Sequence, residues 1–317
     1  MLAVRDLWVR LKPSLGGHPI VRGVGLHLSP GERIAVVGES GSGKSTVALA
    51  LLGLLPREVM QQTGTLTLDG HDLSDATEDD WHAVRGRKVA MVFQDPAGAL
   101  NPVLTVGEQL IEVYRAHDDR PRGEQRRHAV HQFAAMGFAD PERVMRLYPH
   151  QMSGGMKQRA VIAMATALNP RLIVADEPTT ALDPSIRAQI LALLVQKSDA
   201  DGSSVVLVTH DLAETVRVAH RIAVFYHGRM VEIGPARQVL ARPRHPYTRA
   251  LLDARPQPGQ KAGALPVIPG RPPLPSEQFP GCAFAPRCPR AVQSCHASLP
   301  MLTEVEPGHA HACRIPL

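Results

Sequence analysis

Gly38-Glu39-Ser40-Gly41-Ser42-Gly43-Lys44-Ser45-Thr46 has the form G-x-x-x-x-G-K-[ST], a spacing built to cradle the phosphates of a nucleoside triphosphate. Three small residues, Gly41, Ser42 and Gly43, let consecutive backbone N–H groups curl around an anion. A helix starting there adds its positive N-terminal end. Lys44 is spaced to reach the β- and γ-phosphates, and the Ser45 hydroxyl to ligate Mg²⁺. Elsewhere the carboxylates Asp176-Glu177, the imidazole of His210 and the amide of Gln94 each follow a short apolar run. Four cysteines, Cys282, Cys288, Cys295 and Cys313, are confined to the C-terminal end.

The elements that must position these groups alternate. Arg33-Ile34-Ala35-Val36-Val37 reads as a buried strand before the glycine loop, and Val47 to Leu55 as an apolar helix after it, ended by Pro56. Val89 to Phe93, Leu172 to Ala175 and Val205 to Val208 read as further strands, with helices expected over 106–116, 124–136, 141–147, 155–168, from Asp183-Pro184 through Val195, and after Asp211. Such alternation makes the core α/β with a parallel sheet. Ligands of such sheets bind outside the carboxyl ends of the strands, which is where Gln94, Asp176, Glu177 and His210 fall. Residues 2–11, Ile20 to Ser29 and Thr63 to Gly70 read as strands of a small antiparallel sheet, and Ile222 to Tyr226 with Arg229 to Ile233 as a hairpin across His227-Gly228.

The formal charge of +5 over 317 residues is mild and makes no nucleic-acid groove. Aromatic residues at 4% exclude a stacking platform for single strands. Met1 leads into Leu2-Ala3-Val4 without a secretory signal, and no apolar run approaches the ~18–20 residues that span a bilayer. A soluble, cytosolic chain is expected, one that reaches a membrane only through a partner.

Met152-Ser153-Gly154-Gly155-Met156-Lys157-Gln158-Arg159 resembles the signature loop of ATP-binding-cassette ATPases. Leu172 to Glu177 looks like their Walker B strand, Ala181-Leu182-Asp183 their D-loop, Gln94 their Q-loop and His210 their switch histidine, all in family order over roughly residues 1–240. The resemblance implies a RecA-like phosphate-loop core, a small antiparallel β subdomain and a helical signature subdomain at about 95–168. It implies that Asp176 holds Mg²⁺ with Ser45 and Gln94, that Glu177 polarises the attacking water, and that His210 contacts the γ-phosphate. Ser153, Gly154 and Gly155 would serve the nucleotide of an opposite subunit, so that ATP is buried in a head-to-tail dimer with Asp183 at its D-loop. Leu11 stands where the family usually carries an adenine-stacking aromatic, and Trp8 comes too early for that role.

Phe93-Gln94-Asp95-Pro96, Ala99-Leu100-Asn101-Pro102, Tyr148-Pro149-His150-Gln151 and His245-Pro246-Tyr247-Thr248 resemble the ATP-binding subunits of oligopeptide, dipeptide and nickel importers. That implies ATP hydrolysis at the cytoplasmic face of the inner membrane. The implied partners are a second, different ATPase subunit, two transmembrane permeases and an external substrate-binding protein, with no nucleic acid. Glu108 to Arg115 would lie near the permease, though the same residues read equally as a solvated helix face. The rival readings are import of nickel or a metal chelate, and a soluble cassette acting on ribosomes or nucleic acid.

Residues 241–317 are rich in Pro and Arg, with Pro266 to Pro280 densest, and read as a small appendage that needs a staple. The run Cys282-x₅-Cys288-x₆-Cys295-x₁₇-Cys313 offers four thiolates, which suit a [4Fe–4S] cluster or a structural Zn²⁺. The spacings are wider than those of common zinc sites, while His296, His309 and His311 keep zinc open. In these importers a similar tail is associated with the cluster.

Overall fold

The computed structural model describes residues 1–117, 120–180, 182–255 and 267–317; the side chains of Ala213 and Glu214, Ala181 of the expected D-loop and Pro266 of the Pro-rich run lie outside the described residues. In chain order the strands are β1 (Leu2–Leu11), β2 (Pro19–Leu28), β3 (Arg33–Val37), β4 (Met60–Leu68), β5 (His71–Asp72), β6 (Val89–Val92), β7 (Leu172–Asp176), β8 (Ser204–Thr209), β9 (Arg221–Tyr226), β10 (Arg229–Pro235), β11 (Thr303–Glu306) and β12 (His309–His311). The helices are α1 (Lys44–Ala50), α2 (Glu78–Val84), α3 (Val106–His117), α4 (Arg122–Ala135), α5 (Pro141–Val144), α6 (Gly154–Ala165), α7 (Pro184–Asp201), α8 (Leu212–Val218), α9 (Ala236–Ala241), α10 (Pro246–Asp253) and α11 (Gln293–Ala297). Among the described residues no helix is long and apolar enough to cross a membrane.

The chain divides into two compact units. The first comprises Leu28–Glu32 and Asp75–Leu207, with Met1. It holds strands ordered β8-β7-β6, with β6 and β7 parallel. Every residue of β7 is buried, as a strand covered on both faces requires. Around these strands sit α2 to α7. Gln132 on α4 donates Nε2 to Ala163 O at 3.0 Å and to Thr166 Oγ1 at 2.8 Å, so a buried amide ties α4 to the end of α6. Helix α2 was not foreseen, although Thr77 and Asp80 form a capping box ahead of the buried Trp81. Helix α7 runs past Val195 to Asp201. Nothing breaks it until Gly202, whose φ of 67° ends it.

The second unit comprises Leu2–His27, Arg33–Ser74 and Val208–Leu317. One sheet is ordered β2-β1-β4-β5, with β1 antiparallel to β4 from Leu2↔Leu68 to Leu11↔Met60 and a bulge at Asp6, φ 48°. A second set of strands is ordered β11-β12-β10-β9-β3, with β3 and β9 parallel and the rest antiparallel. The hairpin across His227-Gly228 forms as expected. Helix α1 is shorter than expected. It stops at Ala50 because Gly53 adopts φ 63° and Leu54 N–H turns back to Leu49 O at 2.9 Å.

The C-terminal segment is less of an appendage than its composition implies. Strand β12 extends the sheet at β10, and Tyr247 and Phe284 enter a buried cluster with Val37, Val224, Tyr226 and Val239. Glu232 on β10, fully buried, accepts from Arg244 N (2.7 Å), His245 N (2.9 Å) and His309 Nε2 (2.8 Å). A buried carboxylate with three donors satisfies most of its lone pairs, so it anchors the segment at small desolvation cost.

Candidate functional site

In the second unit the glycine loop joins β3 to α1. Gly38 has φ 155°, and a Cβ there would lie 2.3 Å from Phe225 O, so only glycine fits. Gly43 begins α1 in the left-handed region at φ 97°, with no side-chain cap on the helix. The crest, Ser40, Gly41 and Ser45, is exposed; Ser42 and Lys44 are buried beneath it. Thr46 sits half-buried in the first turn of α1. Lys44 Nζ donates to Gly38 O and Glu39 O, each at 3.0 Å, which folds the ammonium back over the loop. Gly228 N–H donates to Ser42 O at 2.9 Å, so the β9–β10 turn supports the loop. Glu39 N–H donates to Tyr247 Oη at 2.8 Å, and its carboxylate receives a two-pronged ion pair from Arg287, Nη1–Oε2 2.7 Å and Nη2–Oε1 3.0 Å. Neither partner of Glu39 was signalled by the sequence, because both lie more than two hundred positions downstream. His210, in this unit, is exposed at the end of β8, and Thr209 Oγ1 accepts from Asp211 N–H at 3.0 Å.

The first unit holds the other group. Asp176 is buried at the end of β7. Glu177 follows in the left-handed region at φ 45°, a conformation a non-glycine residue adopts at a cost and one common at functional sites. Its Oε2 accepts from Thr180 Oγ1 at 2.7 Å and from Gln94 Nε2 at 3.4 Å, so the structure brings Gln94 and Glu177 together. Ser153 caps α6, its Oγ accepting from Met156 N–H at 3.4 Å, and Ser153 and Gly154 are exposed. A Cβ on Gly155 would come within 2.8 Å of Ile186 Cγ2 on α7. Asp183 occupies the N-cap position of α7 ahead of Pro184, but its side chain makes no cap hydrogen bond and stays exposed.

Leu11, half-buried, pairs with Met60 across β1 and β4. Trp8 is engaged otherwise: Nε1 donates to Asp6 Oδ1 at 2.9 Å, and the Arg10 and Arg229 guanidinium groups lie 4.5 and 5.6 Å from the ring.

Cys282, Cys288, Cys295 and Cys313 line one small cavity together with His245 and Phe284. Cys282 N–H donates to Cys295 O at 2.8 Å, and a Cβ on Gly281 would meet Cys295 O at 2.2 Å, so glycine permits the close approach. Burial pushes the Cys282 and Cys288 thiols up, and Cys313 to about 11, with the neighbouring cysteines adding repulsion. All four are free thiols. Among the described residues no three His, Cys, Asp or Glu side chains are disposed to hold a metal ion, so the expected metal staple is not shown.

The profile of the ABC transporter family matches residues 21–180, and that of the oligopeptide/dipeptide transporter C-terminal region matches residues 231–295. The chain is similar to the "Probable peptide ABC transporter ATP-binding protein y4tR" of Sinorhizobium fredii, 44% identical over 99% of this chain and 94% of that protein. It is similar to the "Dipeptide transport ATP-binding protein DppD" of Escherichia coli, 43% identical over 90% of this chain and 88% of that protein. Among solved structures, the dimeric post-hydrolysis state of the ATP-binding cassette MJ0796 bound to ADP and Pi overlays with a TM-score of 0.66 at 30% identity, over 74% of this chain and 99% of that one. The chain therefore belongs to the ABC transporter family as an ATP-binding cassette ATPase, and it carries the family's oligopeptide/dipeptide transporter C-terminal region.

Proposed function

We propose that this ATPase energises the import of di- or oligopeptides through a membrane permease. The observation that carries the reading is the joint match of the cassette and of the oligopeptide/dipeptide C-terminal region in one chain, with peptide-transport relatives aligned over nearly its full length. Residues 1–240 form the cassette, with its helical subdomain at about 95–168, and 241–317 the importer-type C-terminal region. ATP is held by Gly38 to Thr46, and Mg²⁺ by Ser45 and Asp176 with Gln94. Glu177 polarises the attacking water, and His210 steadies the γ-phosphate. The strained backbone of Glu177 and the convergence of Gln94 on its carboxylate support these roles. The exposed Ser153 and Gly154 support a second ATPase subunit as the nucleotide's other wall, a heterodimer with Asp183 at the joint. The protein works peripherally at the cytoplasmic face of the membrane, with two permeases and an external binding protein.

A cavity of about 430 Å³ between α3 and α4, lined by Leu104, Glu108, Ile111 and Arg115 with Arg122 and Gln125 of α4, supports the Glu108 to Arg115 stretch as the permease contact.

Cys282, Cys288, Cys295 and Cys313 would be the residues to hold a [4Fe–4S] cluster, with Zn²⁺ the alternative; that they line one small cavity supports the reading. His245 Nδ1 accepts from Tyr247 N–H at 3.0 Å, and burial lowers the pKa of the ring to about 3, so the neutral imidazole carries its proton on Nε2. That Nε2 is buried without a hydrogen-bond partner beside the cysteine cavity, a donor suited to a sulfur acceptor. Such a group would supply a structural clamp, and its bound cations would draw the thiols into the thiolate form.

The test is the assembled transporter in vesicles, with iron and zinc measured on the same sample. A binding protein loaded with di- or oligopeptide should stimulate ATP hydrolysis. Stimulation by nickel and not by peptide would overturn the cargo class, and four cysteines without iron or zinc would overturn the clamp.

A further inference from the structure

Glu39 sits inside the phosphate loop but is held almost wholly by the C-terminal region. Its N–H is bound by Tyr247 Oη at 2.8 Å, and Tyr247 is fully buried. Its carboxylate is gripped by both prongs of Arg287, whose side chain is 5% exposed against 22% for Glu39. Arg287 is itself fixed. Nε donates to Pro269 O at 2.8 Å and Nη1 to Tyr226 Oη at 3.2 Å, with the Tyr226 and Phe284 rings each 5.9 Å from its guanidinium carbon. The third polar group of Glu39, its carbonyl, receives Lys44 Nζ at 3.0 Å. The residue that docks the loop's lysine is thus clamped at the N–H and side chain by residues outside the cassette core.

The charges give this clamp a consequence beyond packing. A carboxylate in a loop that receives a polyphosphate repels the ligand unless it is neutralised and turned away. A fork-to-fork arginine does both, because the guanidinium plane fixes the direction of the carboxylate as well as cancelling its charge. The fork in turn holds the Arg287 guanidinium firmly protonated. Lysine could cancel the charge but not fix the plane.

We propose that Arg287 and Tyr247 are positioning residues for ATP: they hold Glu39 so that the phosphate loop stays open, with its one acidic side chain neutralised and Lys44 docked for transfer to the phosphates. The C-terminal region is then part of the nucleotide site's scaffold. The proposal rests on the assignment of Gly38 to Thr46 as the ATP site, which Lys44→Ala tests separately: that variant should lose ATP binding whatever Arg287 does.

The experiment measures ATP affinity with a fluorescent analogue, and KM and kcat for ATP, in the assembled transporter carrying Arg287→Ala, Arg287→Lys, Tyr247→Phe or the pair Arg287→Ala/Glu39→Gln. Arg287→Ala should raise KM about tenfold with kcat within about twofold, the size of one lost charge-assisted contact. Arg287→Lys should fall between it and the native protein. Tyr247→Phe, which keeps the ring and removes only the hydroxyl, should raise KM about threefold. The double variant should bind ATP better than Arg287→Ala alone, because removing the carboxylate removes the repulsion. A merely structural arginine would lower Tm and the active fraction but leave KM unchanged and give no rescue. Either result overturns the proposal. Should Arg287→Ala fail to assemble, unchanged KM in both Arg287→Lys and Tyr247→Phe overturns it equally.

Discussion

Two helices in this chain begin at small residues suited to anions, and they are prepared in opposite ways. At α1, Gly43 leaves the helix without a side-chain cap, Ser42 and Lys44 are buried, and the loop is bound from behind by Gly228, Tyr247 and Arg287. At α6, Ser153 caps its own helix, while Ser153 and Gly154 face solvent. The first start is shaped by its own chain before any ligand arrives. The second is a surface, rigid at Gly155 against Ile186 but open outward. A cradle that must surround phosphates needs support on all sides. A lid supplied to another subunit's nucleotide needs a flat, exposed start. On the proposed function, that is the difference between a complete half-site and a contributed one.

The largest effects should come where the chemistry is. Glu177→Gln keeps the volume and the contacts to Thr180 and Gln94 but removes the proposed water-polarising carboxylate, so turnover should drop by about 10²–10⁴ while ATP binding survives. Size-exclusion chromatography with ATP should then show the trapped dimer. Native turnover in this variant would sink the assignment of the water-polarising residue. Next is Gly38→Ala, which drives a methyl to within 2.3 Å of Phe225 O, a backbone atom that cannot yield. Overpacking of this kind costs about 1–3 kcal/mol or more, and the cradle should lose ATP affinity along with stability. Gly155→Ala should be milder. Its methyl meets Ile186 Cγ2, a side-chain atom and not backbone, so ATP binding by the single subunit should be native while ATP-dependent dimerisation weakens. If Gly155→Ala instead lowered ATP affinity of the isolated subunit, the division into own cradle and contributed lid would fail.

The cradle was legible in the sequence because its physics is local. The glycines, the lysine and the flanking apolar runs lie within about a dozen residues, and strand and helix periods frame them. The same holds for β7 with Asp176-Glu177. What sequence reasoning missed is long-range. Glu39 reads as a free variable position of the motif, yet it is the residue that Arg287 and Tyr247 converge on. Likewise, the Pro-rich C-terminal region lacks periodicity, so nothing in it announced that β12 would join β10 or that Tyr247 and Phe284 would pack on Tyr226. Helix α7 begins at Asp183-Pro184 as expected, but the Asp183 carboxylate makes no cap hydrogen bond and remains exposed. Propensity locates a residue within an element; it does not say which of two partners its side chain takes.

The smallest effect expected is a pH dependence on the cradle side. His227, in the turn whose next residue supports Ser42, is buried, and its Nε2 lies 2.9 Å from Glu277 O. Burial, then the neighbouring Arg22 charge, lowers its pKa, against weaker opposing effects of Glu277. A histidine whose native pKa is depressed favours the neutral form, so its contribution to stability is complete above the ordinary value of about 6.5 and is lost as pH falls from there through the lowered native pKa. His227→Asn removes the titration and keeps a residue type that tolerates φ 49° at this position. Thermal unfolding between pH 7.5 and 5, run with and without ATP, should show a shallower acid loss in the variant than in the native protein, by about 2 °C in Tm. ATP should shrink the difference, because bound phosphates hold the loop that Gly228 of this turn supports. Were the acid loss identical in both proteins, the turn beneath the loop would be contributing shape alone, and the asymmetry between the two helix starts would be one of packing without charge.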